Sequence, residues 1–246
     1  MILAAGYATR LYPLTLNKAK PLLVVGGKPI IEWLPDNLAG IPDLDAIYVV
    51  TNDKFAADFQ AWSQEYQKRH PEFKIKVVND GSTSDEDKLG AIGDINFVVT
   101  NENLSQSSLL IAAGDNLFTD SLADFVTAAR DTEVTVAVYD VGDIEAIKKY
   151  GNIAVDAEGI ITRFEEKPQK PRGTLAAIAL YYYSPAVLSL LRTYLAAGNN
   201  ADQPGRFVQW LYTRKPVKTF QIRGRWLDIG SKETLENADR ILGSLR

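Results

Sequence analysis

The chain has no cysteine in its 246 residues, which excludes disulfides, thiolate nucleophiles and Cys-based zinc sites. Histidine is almost missing as well. His70 is the only one, and it lies in a polar turn (Lys68-Arg69-His70-Pro71-Glu72), so a His-based triad or a multi-His metal centre cannot be assembled. There is no basic excess. Lys and Arg number 27 against 31 Asp and Glu, a net charge of −4, and no basic patch exceeds what a single phosphate site needs, which argues against a nucleic-acid partner. No apolar run approaches the length of a membrane span, and no charged-then-apolar leader is visible, so a cytoplasmic, membrane-free protein is expected. Two common phosphate loops, G-x-x-x-x-G-K-[ST] and G-x-G-x-x-G, are absent. Internal repeats, low-complexity tracts and linkers are also absent.

What is present is an ordinary globular balance, 46% hydrophobic and 24% charged, in a chain long enough for a sizeable core. Its first half alternates short β-branched or apolar runs with helical stretches. Strands are expected at Ile2 to Ala5, Ala46 to Val50, Lys74 to Val78, Leu109 to Ala113 and Val134 to Tyr139. Helices are expected from Pro29, from Asn52 or Asp53 to about Arg69, after Leu89, and from about Ser121 to Arg130. Short connections between such elements imply a parallel sheet covered by helices. The second half changes rhythm. Asn152 to Val155, Ile160 to Phe164 and Leu175 to Tyr183 read as strands joined by short turns, an antiparallel or mixed extension. After them come a helix at Pro185 to Ala197, a polar loop to Gly205 and a short helix near Phe207 to Thr213. Strands at Val217 to Ile222 and Trp226 to Ile229 and a helix from Lys232 to Leu242, capped by Ser231, complete the series. A single domain over residues 1–246 is expected, with the change of rhythm dividing it into a first half (1–140) and a second half (141–246).

Chemistry concentrates at the start. Leu3-Ala4-Ala5-Gly6 leaves an apolar run for a loop of small residues that continues through Ala8, Thr9, Arg10 and Thr15 to Lys20-Pro21-Leu22-Leu23. Small residues let backbone N–H groups approach a phosphate closely, and successive N–H groups in a turn make an anion-binding concavity. Arg10 offers a planar fork and Lys20 a point charge, the two ways proteins hold phosphate oxygens. An ordinary surface loop is the plainer alternative. Asp115, after Leu109-Leu110-Ile111-Ala112-Ala113-Gly114, and Asp228, within Arg225-Trp226-Leu227-Asp228-Ile229-Gly230, both close apolar runs, where ligands of open α/β sheets bind. A cap or turn role for each is the alternative.

The run from Leu3 to Thr15, with Lys18-Ala19-Lys20-Pro21-Leu22-Leu23 and Gly26-Gly27-Lys28-Pro29-Ile30, resembles the signature of the sugar-1-phosphate nucleotidyltransferases, and later segments match the same family in order. The resemblance covers nearly the whole chain. It implies a Rossmann-like, mixed and mostly parallel sheet flanked by helices, a GT-A-like fold with an antiparallel sugar-binding extension. No hexapeptide β-helix repeat, as carried by some relatives, is seen here. The activity implied is EC 2.7.7 chemistry: a nucleoside triphosphate and a sugar 1-phosphate, glucose 1-phosphate foremost, give an NDP-sugar and pyrophosphate.

The same resemblance implies residue roles. Leu3, Ala4, Ala5, Gly6, Thr9, Gly90 and Asp115 would bind nucleotide, Arg10 and Lys20 would be catalytic, and Asp115 and Asp228 would hold Mg²⁺. Gly151 and Glu166 would bind sugar hydroxyls, with Lys167 on the sugar phosphate. Asp85 falls where pyrimidine-specific relatives carry a base-reading Gln. Either Asp85 reads an amino-bearing base, or it caps the next helix while Gly90 and loop backbone read the base. The family usually has Gly at the positions of Ala8 and Ala179. Two other readings are a cytidylyltransferase for a phospho-alcohol such as phosphocholine, which needs an aromatic cage, and a non-catalytic NDP-sugar-binding homologue. Self-association as a homo-oligomer stays open.

Overall fold

The computed structural model describes residues 1–244. Contacts divide the chain into two units, each built from separated segments. The first holds Met1–Leu89, Ala112–Ala123 and the stretch from Gly224 onward; the second holds Gly90–Ile111 and Asp124–Arg223. No helix among the described residues is long and apolar enough to cross a membrane.

In the first unit the parallel strands are short and apolar because they are covered on both faces. β1 (Ile2–Leu3) lies between the end of β6 (Leu109–Ala113) and β4 (Ile47–Thr51), pairing Ile2 with both Ala112 and Val49. Beyond β4 comes β5 (Ile75–Asn79), also parallel, with Val49 opposite Val77. α2 (Ala56–Arg69) packs on this sheet with Phe59, Trp62, Ser63 and Tyr66 buried along one helical stripe. Full burial of a side chain such as Phe59 contributes about 1.5–3 kcal/mol. Asn52 caps the approach to α2, its side chain accepting from Phe55 N, as its position before the helical run predicts.

A second layer of the same unit supports the ends of these strands. β2 (Val24–Val25) and β3 (Lys28–Pro29) form a hairpin over Gly26-Gly27, both at positive φ. Gly26 has no room for a side chain: a Cβ there would meet Leu242 Cβ at 2.8 Å. β7 (Asn116–Phe118) pairs antiparallel with β13 (Trp226–Asp228), and α8 (Lys232–Gly243) comes after it with a capping box between Ser231 and Thr234. Val25, Ile30, Leu117, Ile229, Ala238 and Leu242 make one core beneath this layer. The helix expected from Pro29 is instead a 3₁₀ turn (Ile30–Glu32) leading into the short α1 (Trp33–Asn37). Pro29 itself belongs to β3, and Pro35 inside α1 lacks the N–H that a longer helix would need.

The second unit carries α3 (Ala91–Asn101), most of α4 (Ala123–Ala129), and the strands of the antiparallel extension. β11 (Leu175–Tyr183) pairs antiparallel with β8 (Val134–Asp140) and β9 (Gly151–Val155), and β9 pairs with β10 (Ile161–Glu166). β12 (Lys218–Gln221) runs parallel to β8. The expected helix from Pro185 to Ala197 is broken at Ser189 into α5 (Pro185–Leu188) and α6 (Leu190–Ala196), and α7 (Pro204–Leu211) succeeds it. Parallel strands with helical cover and a mixed extension give the α/β class anticipated from the alternating sequence.

Candidate active site

The small-residue loop leaves β1 with Ala4 and Ala5 buried and Gly6, Thr9 and Arg10 projecting to the surface, while Leu3 is half-buried. Two bonds fix its path: Ala4 N donates to Val50 O at 2.9 Å, and Asn52 Nδ2 donates to Ala5 O at 2.8 Å. A Cβ added at Gly6 would meet nothing within 4 Å, so the loop is open to an approaching group there. Ala8 stands at φ 49°, ψ 42°, a left-handed conformation that costs a residue with a Cβ about 1–2 kcal/mol. Thr15 Oγ1 donates to Ala8 O at 2.8 Å and holds it there. This is the position where the family usually has glycine, and the backbone gives the reason. Arg10 projects from the 3₁₀ turn Thr9–Leu11 immediately after it.

Lys20 and Asp115 are brought together. Lys20 Nζ donates to Asp115 Oδ2 at 2.5 Å and to the Ile229 carbonyl at 2.9 Å. Asn116 Nδ2 donates to Asp115 Oδ1 at 2.9 Å, and Trp226 Nε1 fixes Asn116 through its Oδ1 at 2.6 Å. Burial pushes the Asp115 carboxyl up, but the Lys20 ammonium and the hydrogen bonds from Lys20 and Asn116 outweigh it and hold the group below the usual carboxylate range. Asp228 lies opposite Asn116 across the β7–β13 ladder, next to Asp115 in register, and Ile229 N donates to Asp115 O at 3.1 Å. Asp228 thus closes β13 and Asp115 immediately precedes β7, which places both aspartates at one end of this small sheet in the first unit. Nothing in the sequence predicts the Lys20–Asp115 pair, whose members are 95 residues apart.

In the loop after β5, Asp85 is exposed and pairs with Lys88 at 3.1 Å. It does not cap α3, whose N-cap is Gly90 with no side-chain cap. The organiser of the loop is Asp87, which is not among the residues the sequence singles out. It accepts from Thr83 N and Ser84 N, with further bonds from both hydroxyls, and these hold its carboxyl down to about 2. The Thr83-Ser84-x-x-Asp87 spacing is the available signal for such a turn. Gly90, in the second unit, has φ 77°, and a Cβ there would meet Ala201 O at 2.7 Å. Its glycine is thus required by the close approach of the 201–202 backbone.

The second unit gathers the remaining residues. Gly151 faces Glu166 across the β9–β10 ladder. A Cβ at Gly151 would meet Phe164 Cζ at 2.6 Å, and one at Gly205 would collide with Glu166 Oε2. The two glycines make the space in which Glu166 lies. Burial pushes the Glu166 carboxyl up, against the opposing charges of Lys167 and Arg206. Glu166 N donates to Gln209 Oε1 at 3.0 Å, so α7 is keyed to the end of β10. Gly205, Arg206 and Gln209 neighbour Glu166, and no sequence motif marks them. Lys167 is exposed, stands at φ 48° just before Pro168, and is tied back by Lys167 N to Tyr150 O at 3.0 Å. Strain of this kind persists only where the surroundings impose it, and it clusters at ligand sites. Ala179 falls where the β11–β8 register shifts between Ala177 and Tyr181. Tyr181 and Tyr183 are stacked at 5.8 Å and buried in the core, so they form no cage for a quaternary ammonium. His70 stacks on Tyr66 at 4.4 Å, a packing role.

These features define an α/β protein with cations and carboxylates gathered beyond its strand ends, and comparison with known proteins gives its family. The chain belongs to the nucleotidyl transferase family, whose profile matches residues 1–244. It is 29% identical over 248 residues to a glucose-1-phosphate thymidylyltransferase of Neisseria gonorrhoeae, covering 97% of this chain and 80% of that protein. It is 26% identical over 244 residues to the UTP–glucose-1-phosphate uridylyltransferase AglF of Haloferax volcanii, covering 98% and 95%. The bifunctional protein GlmU of Methanocaldococcus jannaschii is 26% identical over 98% of this chain, which spans only 53% of that relative's length. A UDP-glucose pyrophosphorylase solved with UDP-glucose shares the fold at TM-score 0.81 and 21% identity, covering 100% of this chain and 98% of that one.

Proposed function

We propose that the protein is a sugar-1-phosphate nucleotidyltransferase. The reaction is attack by a phosphate oxygen of the sugar 1-phosphate on the α-phosphorus of a nucleoside triphosphate. The new P–O bond forms as the α–β bridging bond breaks, and the electron pair leaves with pyrophosphate. The observation that carries this reading is the pairing of Lys20 with Asp115, the residue just before β7, at the end of the small sheet where β13 closes with Asp228.

Two carboxylates and a backbone carbonyl are hard oxygen donors that suit Mg²⁺, which is typically held by one or two carboxylates with phosphates completing the shell. No group of three His, Cys, Asp or Glu suited to a metal occurs among the described residues, so the substrate's phosphates would supply the rest. Asp115 and Asp228 would hold the ion, which when bound supplies charge neutralisation for the departing pyrophosphate. Lys20 has three donors and uses two internally, leaving one for a phosphate oxygen. Arg10, exposed on the loop, adds a bidentate fork, and the open backbone at Gly6 admits a phosphate. In the second unit Glu166 would accept from sugar hydroxyls, and Lys167 would neutralise the 1-phosphate. No side chain becomes covalently attached; positioning and charge do the chemistry. Asp85 is proposed as a contact to the base, and Asp85→Gln would then shift preference towards dTTP and UTP. A cytoplasmic location is part of the proposal, because both substrates are water-soluble phosphates.

Pyrophosphate release, measured for each of the four nucleoside triphosphates against a panel of sugar 1-phosphates, tests the proposal. One pair is expected to exceed either substrate alone by at least about 100-fold, well within the rate enhancements enzymes supply. No pair doing so would remove the proposal.

A further inference from the structure

A cavity of about 650 Å³ in the second unit opens beside Glu166, within the size range of small-molecule sites. Its lining is polarised. Glu165 and Glu166 stand on the β10 side, and Lys170, Arg172 and Arg206 supply three cations. Gln209 lies with them, its Oε1 already taken by Glu166 N.

The cations are under-compensated. None of the three forms an ion pair with a carboxylate among the described residues. Arg206 is half-buried; its Nε donates to the neutral Gln203 Oε1 at 3.3 Å, and its charge is felt by Glu166 without contact. The absence of a Cβ at Gly205 lets Glu166 lie against α7 one residue before Arg206. An acceptor edge and a donor edge thus face one ligand space. Sugar hydroxyls satisfy a carboxylate, but a neutral hexose offers no charge to the three cations, which outnumber the two carboxylates of the lining. The net positive charge of the cleft raises the local concentration of an anionic group.

We propose that this cavity takes a sugar phosphate bearing a second anionic group besides its 1-phosphate, with Arg206 as the specificity-determining residue. The inference rests on the nucleotidyltransferase reading and narrows its substrate class. The second anion can be a carboxylate or a further phosphate; the shared chemistry is a planar or tetrahedral oxyanion held by guanidinium and ammonium groups.

The full chain is assayed for pyrophosphate release with glucose 1-phosphate, glucuronate 1-phosphate and glucose 1,6-bisphosphate, using the preferred nucleotide and Mg²⁺. The expected result is kcat/KM at least tenfold higher for one of the two substrates with a second anion than for glucose 1-phosphate, and which of them wins identifies carboxylate or phosphate. Arg206→Gln is expected to cut that preference to below threefold, with Arg206→Lys restoring part of it, and Lys170→Gln/Arg172→Gln is expected to weaken it. Ratios within threefold in the wild type overturn the inference and leave the nucleotidyltransferase reading standing. An equal loss on all three substrates in Arg206→Gln also overturns it, because Arg206 would then serve the shared 1-phosphate. Absence of pyrophosphate release from every combination overturns both.

Discussion

Lys20 Nζ lies 2.5 Å from Asp115 Oδ2, and its second hydrogen bond goes to the carbonyl oxygen of Ile229, one residue after Asp228. A single ammonium thus ties the turn after the small-residue loop to both strands beside which the aspartates lie. Its side chain and that of Asp115 are only 16% and 24% exposed, so the pair is poorly screened. Removing one partner leaves a half-buried charge uncompensated.

Lys20→Ala is therefore expected to lower kcat/KM at least tenfold and to destabilise the fold by about 1–3 kcal/mol. Asp115→Asn should do the same, and the double variant should cost less than the sum of the two. Urea unfolding of the four proteins of the cycle measures the coupling, and additivity would show that the pair contributes nothing.

The Asp115 carboxyl is depressed, which fixes the sign of its pH dependence. Its stabilising contribution is fully present above the unfolded value of about 3.9 and is lost as pH falls through the lower folded value. Wild type and Asp115→Asn should differ by a constant amount from neutral pH down to about pH 5, and the difference should shrink below about pH 4. Chemical unfolding across that range reads it directly.

Ala8→Gly is expected to raise stability by about 1 kcal/mol, since Ala8 holds a left-handed backbone at φ 49°. For a chain of this size the gain appears as roughly 2–4 °C in Tm. A loss of stability would mean that the loop relaxes around glycine and that the Thr15 bond to Ala8 O does not hold its shape.

Gly205→Ala puts a Cβ into the Glu166 carboxylate. The expected outcome is a rise of at least tenfold in KM for the sugar phosphate, with KM for the nucleotide changed less than threefold. Equal effects on the two constants would show that Gly205 serves the fold rather than Glu166.

The parallel strands were legible because β-branched runs such as Ile47-Tyr48-Val49-Val50 are short, apolar and separated by helical periods. Short elements whose existence depends on distant partners were not. β7 is three residues long and is defined by β13, whose Trp226 lies 110 residues beyond Asn116, so no local pattern marks it. The hairpin of β2 and β3 is hidden in the sequence because Pro29 reads locally as a helix start. Asp115 and Asp228 stand out as carboxylates closing apolar runs, whereas the engagement of Lys20 by Asp115 is a tertiary fact. Asp87 does not stand out because the acids and hydroxyls around it look alike in sequence, and only the turn geometry selects one acceptor. Gly205 and Arg206 gain meaning from Glu166, which lies against Gly205 at the end of β10 and within the field of Arg206.

The most direct test is the joint appearance of both products in one incubation of the full chain with Mg²⁺, a nucleoside triphosphate and a sugar 1-phosphate. Chromatographic quantitation should find NDP-sugar and pyrophosphate in equal amounts, and excess chelator should abolish both. Pyrophosphate without NDP-sugar, or undiminished formation of both in chelator, would contradict the proposed mechanism.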